Sequence, residues 1–383
     1  MSVGVLPLPP GEGAELHVRS GHVVALRLFE VAYSIDLRRV EEVWARHAGT
    51  ASSRSRLSAT PAKAVAFGVP PVAFNFDPIP LQLGTWSVTA AVTVRVYDFG
   101  VVAFALRVPT VDMSWPDYTA LLNAVDVHVG AGGDGRLWDG LLARVRTLLA
   151  EAFVRPTVSA IEEDYLIGTV HAFSQKLTAA QLQERVDLVP LLSGEQRLLS
   201  EGARRDLLRQ SHSYYADDLV VLTWDRAFIY EPRGDSDVAD VLEVANAQLL
   251  EMRYYDELLD DELPRMYSLV QSTRRTLNVL LPRRYADLAR QLYTLVAEVT
   301  ELTEKVDNAL QVTEDVYLAR IYAAALDLLR VPTVSAAVDR KLAIIRDTYA
   351  ALYDEASGSR AGLMEFLILL LIAVEIVLAL VRH

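Results

Sequence analysis

The sequence predicts an α+β protein in three parts: a mixed α/β domain over residues 1–232, a long all-α helical hairpin or stalk over 237–356, and one C-terminal transmembrane helix within 360–383. Three observations lead there. The first 232 residues mix strand-like and helical runs without a regular βαβ rhythm, which argues against a doubly wound sheet. Residues 237–356 hold long periodic helices and no strand-like run. From Leu363 to Val381 every residue except Glu365 and Glu375 is apolar.

In the first domain, VVALRLFEVAYSIDL (Val23 to Leu37) has strand composition and runs into the helix RRVEEVWARH, where Val40, Val43 and Trp44 recur at helical spacing. FGVPPVAFNFDPIPL is broken by prolines and reads as an edge or loop segment. WSVTAAVTVRVYDFGVVAFALRVP gives two strands meeting in a hairpin at Tyr97–Gly100. SWPDYTALLNAV is a helix with Ser114 as its N-cap and Pro116 in its first turn, and WDGLLARVRTLLAEAF is another. EEDYLIGTVHAF and DDLVVLTWDRAFIYEP read as strands, with the charged helical stretches LTAAQLQERV and GEQRLLSEGARRDLLRQ between them.

The second domain reads as three helices separated by Pro282 and Pro332, so that antiparallel neighbours are expected. In the middle one Tyr285, Leu288, Leu292, Leu295, Val299, Leu302, Val306 and Ala309 alternate steps of three and four, a heptad seam. The terminal run spans roughly 28 Å as a helix, against a hydrocarbon core of roughly 30 Å. Glu365 lies within a turn of the polar end. Glu375 lies past the middle, where a carboxylate costs about 2.5–3.5 kcal/mol on insertion scales, so it is expected to be protonated, paired or turned toward protein. Ten residues of helix leave the two glutamates roughly 80° apart, so one packed side holds both.

A composition with 52% hydrophobic residues supplies a core, and the net charge of -13 opposes general binding to nucleic acid. There is no cysteine, which removes disulfides and thiolate chemistry. Lysine is confined to Lys63, Lys176, Lys305 and Lys341 while arginine carries the positive charge, the composition of a GC-rich genome. MSVGVLPLPPGEGAEL shows neither a basic n-region nor an apolar h-region. A tail-anchored protein of the bacterial inner membrane is expected from this, its soluble domains facing the cytoplasm.

Candidate chemistry is sparse. Gly130, Gly132 and Gly135 in VDVHVGAGGDGRL satisfy G-x-G-x-x-G between a strand-like run and a helix, where a pyrophosphate would meet a helix N-terminus. No acidic strand end follows at the dinucleotide distance and no GK[ST] follows for a P-loop, and a plain Gly-rich loop explains the same letters. Asp256, Glu257, Asp260, Asp261 and Glu262 cluster beside Arg253 and Arg265, the pattern of an ion-paired helix face rather than a cation site. Arg274, Arg275, Arg283 and Arg284 bracket a helix–helix turn, a basic patch suited to phosphates and equally to capping helix ends. The histidines are scattered without metal-ligand spacing, and no hydrolase, kinase or deaminase signature occurs.

KLAIIRDTYAALYDEASGSRAGLMEFLILLLIAVEIVLAL resembles the end of the required-for-meiotic-nuclear-division family, in which a Leu-Glu-aromatic start precedes an Ile/Leu run and a second glutamate ten positions later. Met364, Glu365 and Phe366 hold the first part, and Glu375 the second. VRVYDFGVVAF is similar to the family's Phe/Tyr-Gly-Val-Val strand. The resemblance implies a divergent bacterial member of a membrane-anchored family that forms large assemblies and, in mitochondria, supports translation of membrane proteins. It implies no catalytic residues.

The expectation is therefore a membrane-tethered, non-catalytic scaffold or interaction protein, homo-oligomeric through Glu365 and Glu375, with the lipid bilayer as a partner and without cofactor or metal. The alternatives are a nucleotide-binding enzyme using the loop Gly130–Gly135, and an ion-conducting oligomer lined by Glu375.

Overall fold

A computed structural model describes residues 16–48, 53–54, 65–195, 197–234, 237–274, 281–307, 310–312, 316–348 and 350–351. Val23 to Glu30 are buried without interruption, so the strand that contains them needs cover on both faces. That strand, β1 (His17–Glu30), lies in the middle of a nine-stranded sheet. It continues through β2 (Ala32–Ile35) into α1 (Leu37–Ala48), where the Asp36 carboxylate accepts from the backbone N–H groups of Arg38 and Arg39. Val40, Val43 and Trp44 are buried, with Trp44 stacked on Phe74 at 4.3 Å.

Then come β3 (Ser53–Arg54), β4 (Val65–Phe67), β5 (Val72–Leu83), β6 (Trp86–Val96) and β7 (Val101–Ser114). The expected hairpin joins β6 to β7 through Tyr97–Gly100. The proline-broken segment is a 12-residue strand, β5, rather than a loop. Its prolines are accommodated because Asp77–Pro78 form an irregularity in the pairing with β6, and the outer neighbour β3 reaches only Val72 and Ala73.

Ser114 caps α2 (Trp115–Val129), its side chain accepting from Asp117 N–H at 3.2 Å. The strand-like VDVHV belongs to this helix. Tyr118, Leu121, Leu122, Val125 and Val129 form one buried stripe at steps of three and four, while Val127 is 77% exposed. After α3 (Arg136–Leu148) come β8 (Phe153–Pro156), β9 (Glu162–Phe173), α4 (Ala179–Arg185), α5 (Val189–Ser193) and α6 (Glu201–Leu207). The chain closes the sheet with β10 (Ser211–His212), β11 (Leu219–Leu222) and β12 (Arg226–Tyr230). The order is β10-β11-β12-β9-β1-β7-β6-β5-β3, antiparallel throughout except for the pair β12 and β9.

Strand alternation separates the two faces. Val23, Ala25 and Phe29 join the main core beneath α1, α2 and α3, with Trp138 and Trp44. Val24, Leu26, Leu28 and Glu30 point the other way and are equally buried. The first part of α7 (Val238–Arg274) is held to residues of that second face.

From here the sequence reading needs correction. The middle helix, α8 (Leu281–Asp307), stops well short of Leu329. A three-residue strand, β13 (Leu310–Val312), then pairs with β4, and α9 (Val316–Leu328) and α10 (Val331–Thr348) follow. A strand this short carries no periodicity to read. By contacts, one compact unit comprises residues 1–251 and 306–331 and the other 252–305 and 332–383, a division that falls inside α7. Within the second unit Leu292 and Val299 of the heptad seam are buried with Leu259, Val338 and Ile345.

Gly100 has φ 104°, and a Cβ there would overlap the Ala32 carbonyl oxygen and sit 2.8 Å from the Glu30 carboxyl. Gly100→Ala is expected to destabilise the first unit by more than about 2 kcal/mol, read as a lower urea midpoint at unchanged slope.

Candidate functional site

The Gly-rich loop joins two helices, so the strand–loop–helix frame of a dinucleotide site is not formed. Gly130 is the C-cap of α2, Gly135 the N-cap of α3, and Gly132 lies in the turn between them. The protein's own groups occupy this end of α2. The Val129 carbonyl accepts from Trp138 Nε1 at 2.8 Å and Arg27 Nη2 at 3.3 Å. The Ala131 backbone N–H donates to Asp164, whose carboxyl burial nevertheless pushes above the usual range. Arg226 binds Asp126 at 2.5 Å and Asn123 at 2.7 Å from beneath α2. An arginine at a helix C-terminus complements its dipole, so Arg27 and Arg226 tie the α2 end of the loop to the sheet.

The second face of the sheet carries the densest set of ionisable groups, all within the first unit. Arg95 of β6 reaches α7 with both ends of its guanidinium, Nη1 to Glu243 at 2.7 Å and Nη2 to Asp240 at 2.6 Å. Tyr97 Oη donates to the other Glu243 oxygen at 2.8 Å. Burial works against the charge on Arg95, and the two carboxylates more than restore it. Burial raises Glu243 and Tyr97 above their ordinary ranges. Farther along the same helix Glu251 is hydrogen-bonded to Glu30, both almost fully buried. A hydrogen bond between two carboxyls requires one to carry a proton, and burial, with Glu251 adding to it, holds Glu30 well above the usual carboxyl range. Gln248 accepts from Tyr322 of α9 at 2.7 Å. These contacts fix α7 to the sheet, and chemically they are spent on one another.

At the far end of the same face two histidines that are 149 residues apart in sequence meet: His171 Nε2 and His22 Nδ1 are 3.3 Å apart, and His171 Nδ1 lies 3.1 Å from the Glu231 carbonyl oxygen. Sequence spacing gives no sign of this pair, because strand pairing creates it. Both rings are only partly buried.

The remaining sequence candidates are dispersed. Asp256 and Asp260 bind Lys341 at 2.6 and 2.7 Å, and Arg265 pairs with Glu262 at 2.6 Å, an ion-paired surface within the second unit. Arg274 is the last residue of α7, and Arg283 and Arg284 lie in the first turn of α8. Arg275, Glu365 and Glu375 lie outside the described residues.

This chain belongs to the family described as the N-terminal domain of uncharacterized protein MJ0711, which matches residues 20–237. That segment holds every strand of the large sheet except the start of β1, and ends one residue before α7. The chain is similar to uncharacterized protein MJ0711 of Methanocaldococcus jannaschii, 25% identical over 196 residues that cover 51% of this chain and 59% of the relative. The chain thus spans less than two thirds of that relative's length. No solved structure matches.

Two outcomes follow from the buried charges. Arg95→Met leaves Glu243 buried without its cation and is expected to cost about 3–5 kcal/mol, with most of the loss recovered in the double variant Arg95→Met/Glu243→Met, measured by denaturant unfolding as a double-mutant cycle. The folded state keeps a proton on Glu30 where the unfolded chain, near 4.5, has lost it. That contribution is whole below the unfolded value and fades as pH rises through the folded one. Thermal midpoints are expected to fall as pH rises above about 4.5, and to fall less in Glu30→Gln.

Proposed function

We propose that this protein is a membrane-anchored, oligomeric, non-catalytic interaction protein. The sheet unit presents a surface, the helical unit spaces it, and the apolar run Leu363–Val381 holds it in a bilayer. The observation that carries this reading is that run, interrupted only by Glu365 and Glu375. Among the described residues no single helix is long and apolar enough to cross a membrane, so this run is the segment to test. The internal use of the charges on α7 and around the Gly-rich loop supports a binding role over a catalytic one.

The oligomer is proposed to form through Glu375, a polar side chain that joins helices in lipid, where such contacts contribute about 0.6–2 kcal/mol each. The resemblance of residues 341–380 to the required-for-meiotic-nuclear-division family adds a process, support of membrane-protein synthesis at the cytoplasmic membrane.

Full-length protein is expected to remain in the membrane pellet after alkaline extraction, and a chain ending at Ala356 to leave it; retention of the shortened chain would remove the anchor. In detergent, light scattering after size exclusion is expected to give a defined oligomer that dissociates in Glu375→Leu. The same mass for both proteins would move assembly to the helical unit.

A further inference from the structure

We propose that His22 and His171 form the protein half of a site for a divalent transition-metal ion of the imidazole-binding class, such as zinc, with the other coordination positions open to water or an exogenous ligand. Zinc lies about 2.05 Å from an imidazole nitrogen, and two such nitrogens at a tetrahedral angle are about 3.3 Å apart, with ring centroids about 5.2 Å apart when both lone pairs meet at the ion. The observed separations are 3.3 Å between His22 Nδ1 and His171 Nε2 and 5.2 Å between centroids. A linear N–H···N bond with the same nitrogen separation would set the centroids about 5.6 Å apart, so at least one ring is turned off the nitrogen–nitrogen line.

Backbone geometry builds this convergence. Ser20 pairs with Ala172 and Gly21 with Val170, so His171 is the extra residue of a β-bulge in β9. A bulge of this kind re-aims a side chain, and here it brings His171 beside His22. Gly21 permits the close approach, since a Cβ there would overlap the Thr169 carbonyl oxygen.

The protonation pattern suits a ligand pair. A carbonyl only accepts, so His171 carries its proton on Nδ1 and presents a lone pair at Nε2. The Glu231 carbonyl is thus the outer partner that fixes tautomer and ring orientation in metal-binding histidines. In the ion-free pair His22 donates from Nδ1; on binding, that proton moves to Nε2 and the Nδ1 lone pair turns to the ion, with no net proton release. Arg107 is close enough to His22 to act on it electrostatically. It opposes a bare dication and favours an ion that carries an anionic ligand such as hydroxide. Among the described residues no group of three or more His, Asp or Glu side chains is placed to hold an ion, so the protein supplies two ligands here.

The test uses untagged full-length protein. Calorimetric titration with zinc chloride is expected to give one ion per chain at micromolar affinity, weakened at least about tenfold in both His22→Ala and His171→Ala. Copper(II) bound to the unaltered protein is expected to show electron paramagnetic resonance coupling to two imidazole nitrogens, a readout that does not require the variants to fold. No zinc binding by the unaltered protein, equal binding in the variants, or a copper signal without nitrogen coupling would each overturn the proposal. The membrane reading stands or falls separately, since none of these measurements depends on residues 363–381.

Discussion

A charge enclosed between a sheet and a helix has to be neutralised where it lies, and that constraint governs the second face of this sheet. Arg95 is the fixed point. Its guanidinium is planar and reaches two α7 carboxylates at once, so it sets both the height and the rotation of the helix over β6. Tyr97 satisfies the remaining Glu243 oxygen, and Glu251 comes to rest on Glu30 two turns farther along. Pairs of this kind add little net stability over an apolar packing of the same volume. What they supply is one permitted placement for α7 over the aliphatic side chains of that face.

The two faces are built differently. Under α1, α2 and α3 the core is aromatic and aliphatic, with Trp44 on Phe74 and Phe104 near Trp138, and two buried arginines, Arg27 and Arg226, anchor the α2 end. On the opposite face the ionisable groups run along β1, from the histidine pair near its middle to Glu30 at its end. β1 serves both, which is why it reads as an unbroken buried run.

Much of this was legible in the sequence. Strand composition and turn chemistry mark β1, β6, β7 and β9, Ser114 marks the start of α2, and the absence of βαβ rhythm argues against a doubly wound sheet. The misreadings share a cause, the overriding of local pattern by partners distant in sequence. Val125, Val127 and Val129 alternate like a strand, yet Tyr118 and Leu122 extend the first and last into a helical stripe. β13 exists because β4 lies beside it, not because LQV favours it. The site was less legible than the fold. A Gly-rich signature is local and visible, whereas His22 and His171 meet only through the pairing of β1 with β9, and nothing within a few residues of either announces the other. The seam on α7 was hidden for a related reason: Asp240, Glu243 and Glu251 look like solvent-facing acids until the opposing strand is known.

The family segment ends at residue 237, yet the acids that meet Arg95, Tyr97 and Glu30 come afterwards, from α7, and residues 306–331 return later to the same compact unit. The family segment and the piece of chain that neutralises this face are therefore not the same: residues 20–237 supply Glu30, Arg95 and Tyr97, and α7 supplies Asp240, Glu243 and Glu251 to meet them.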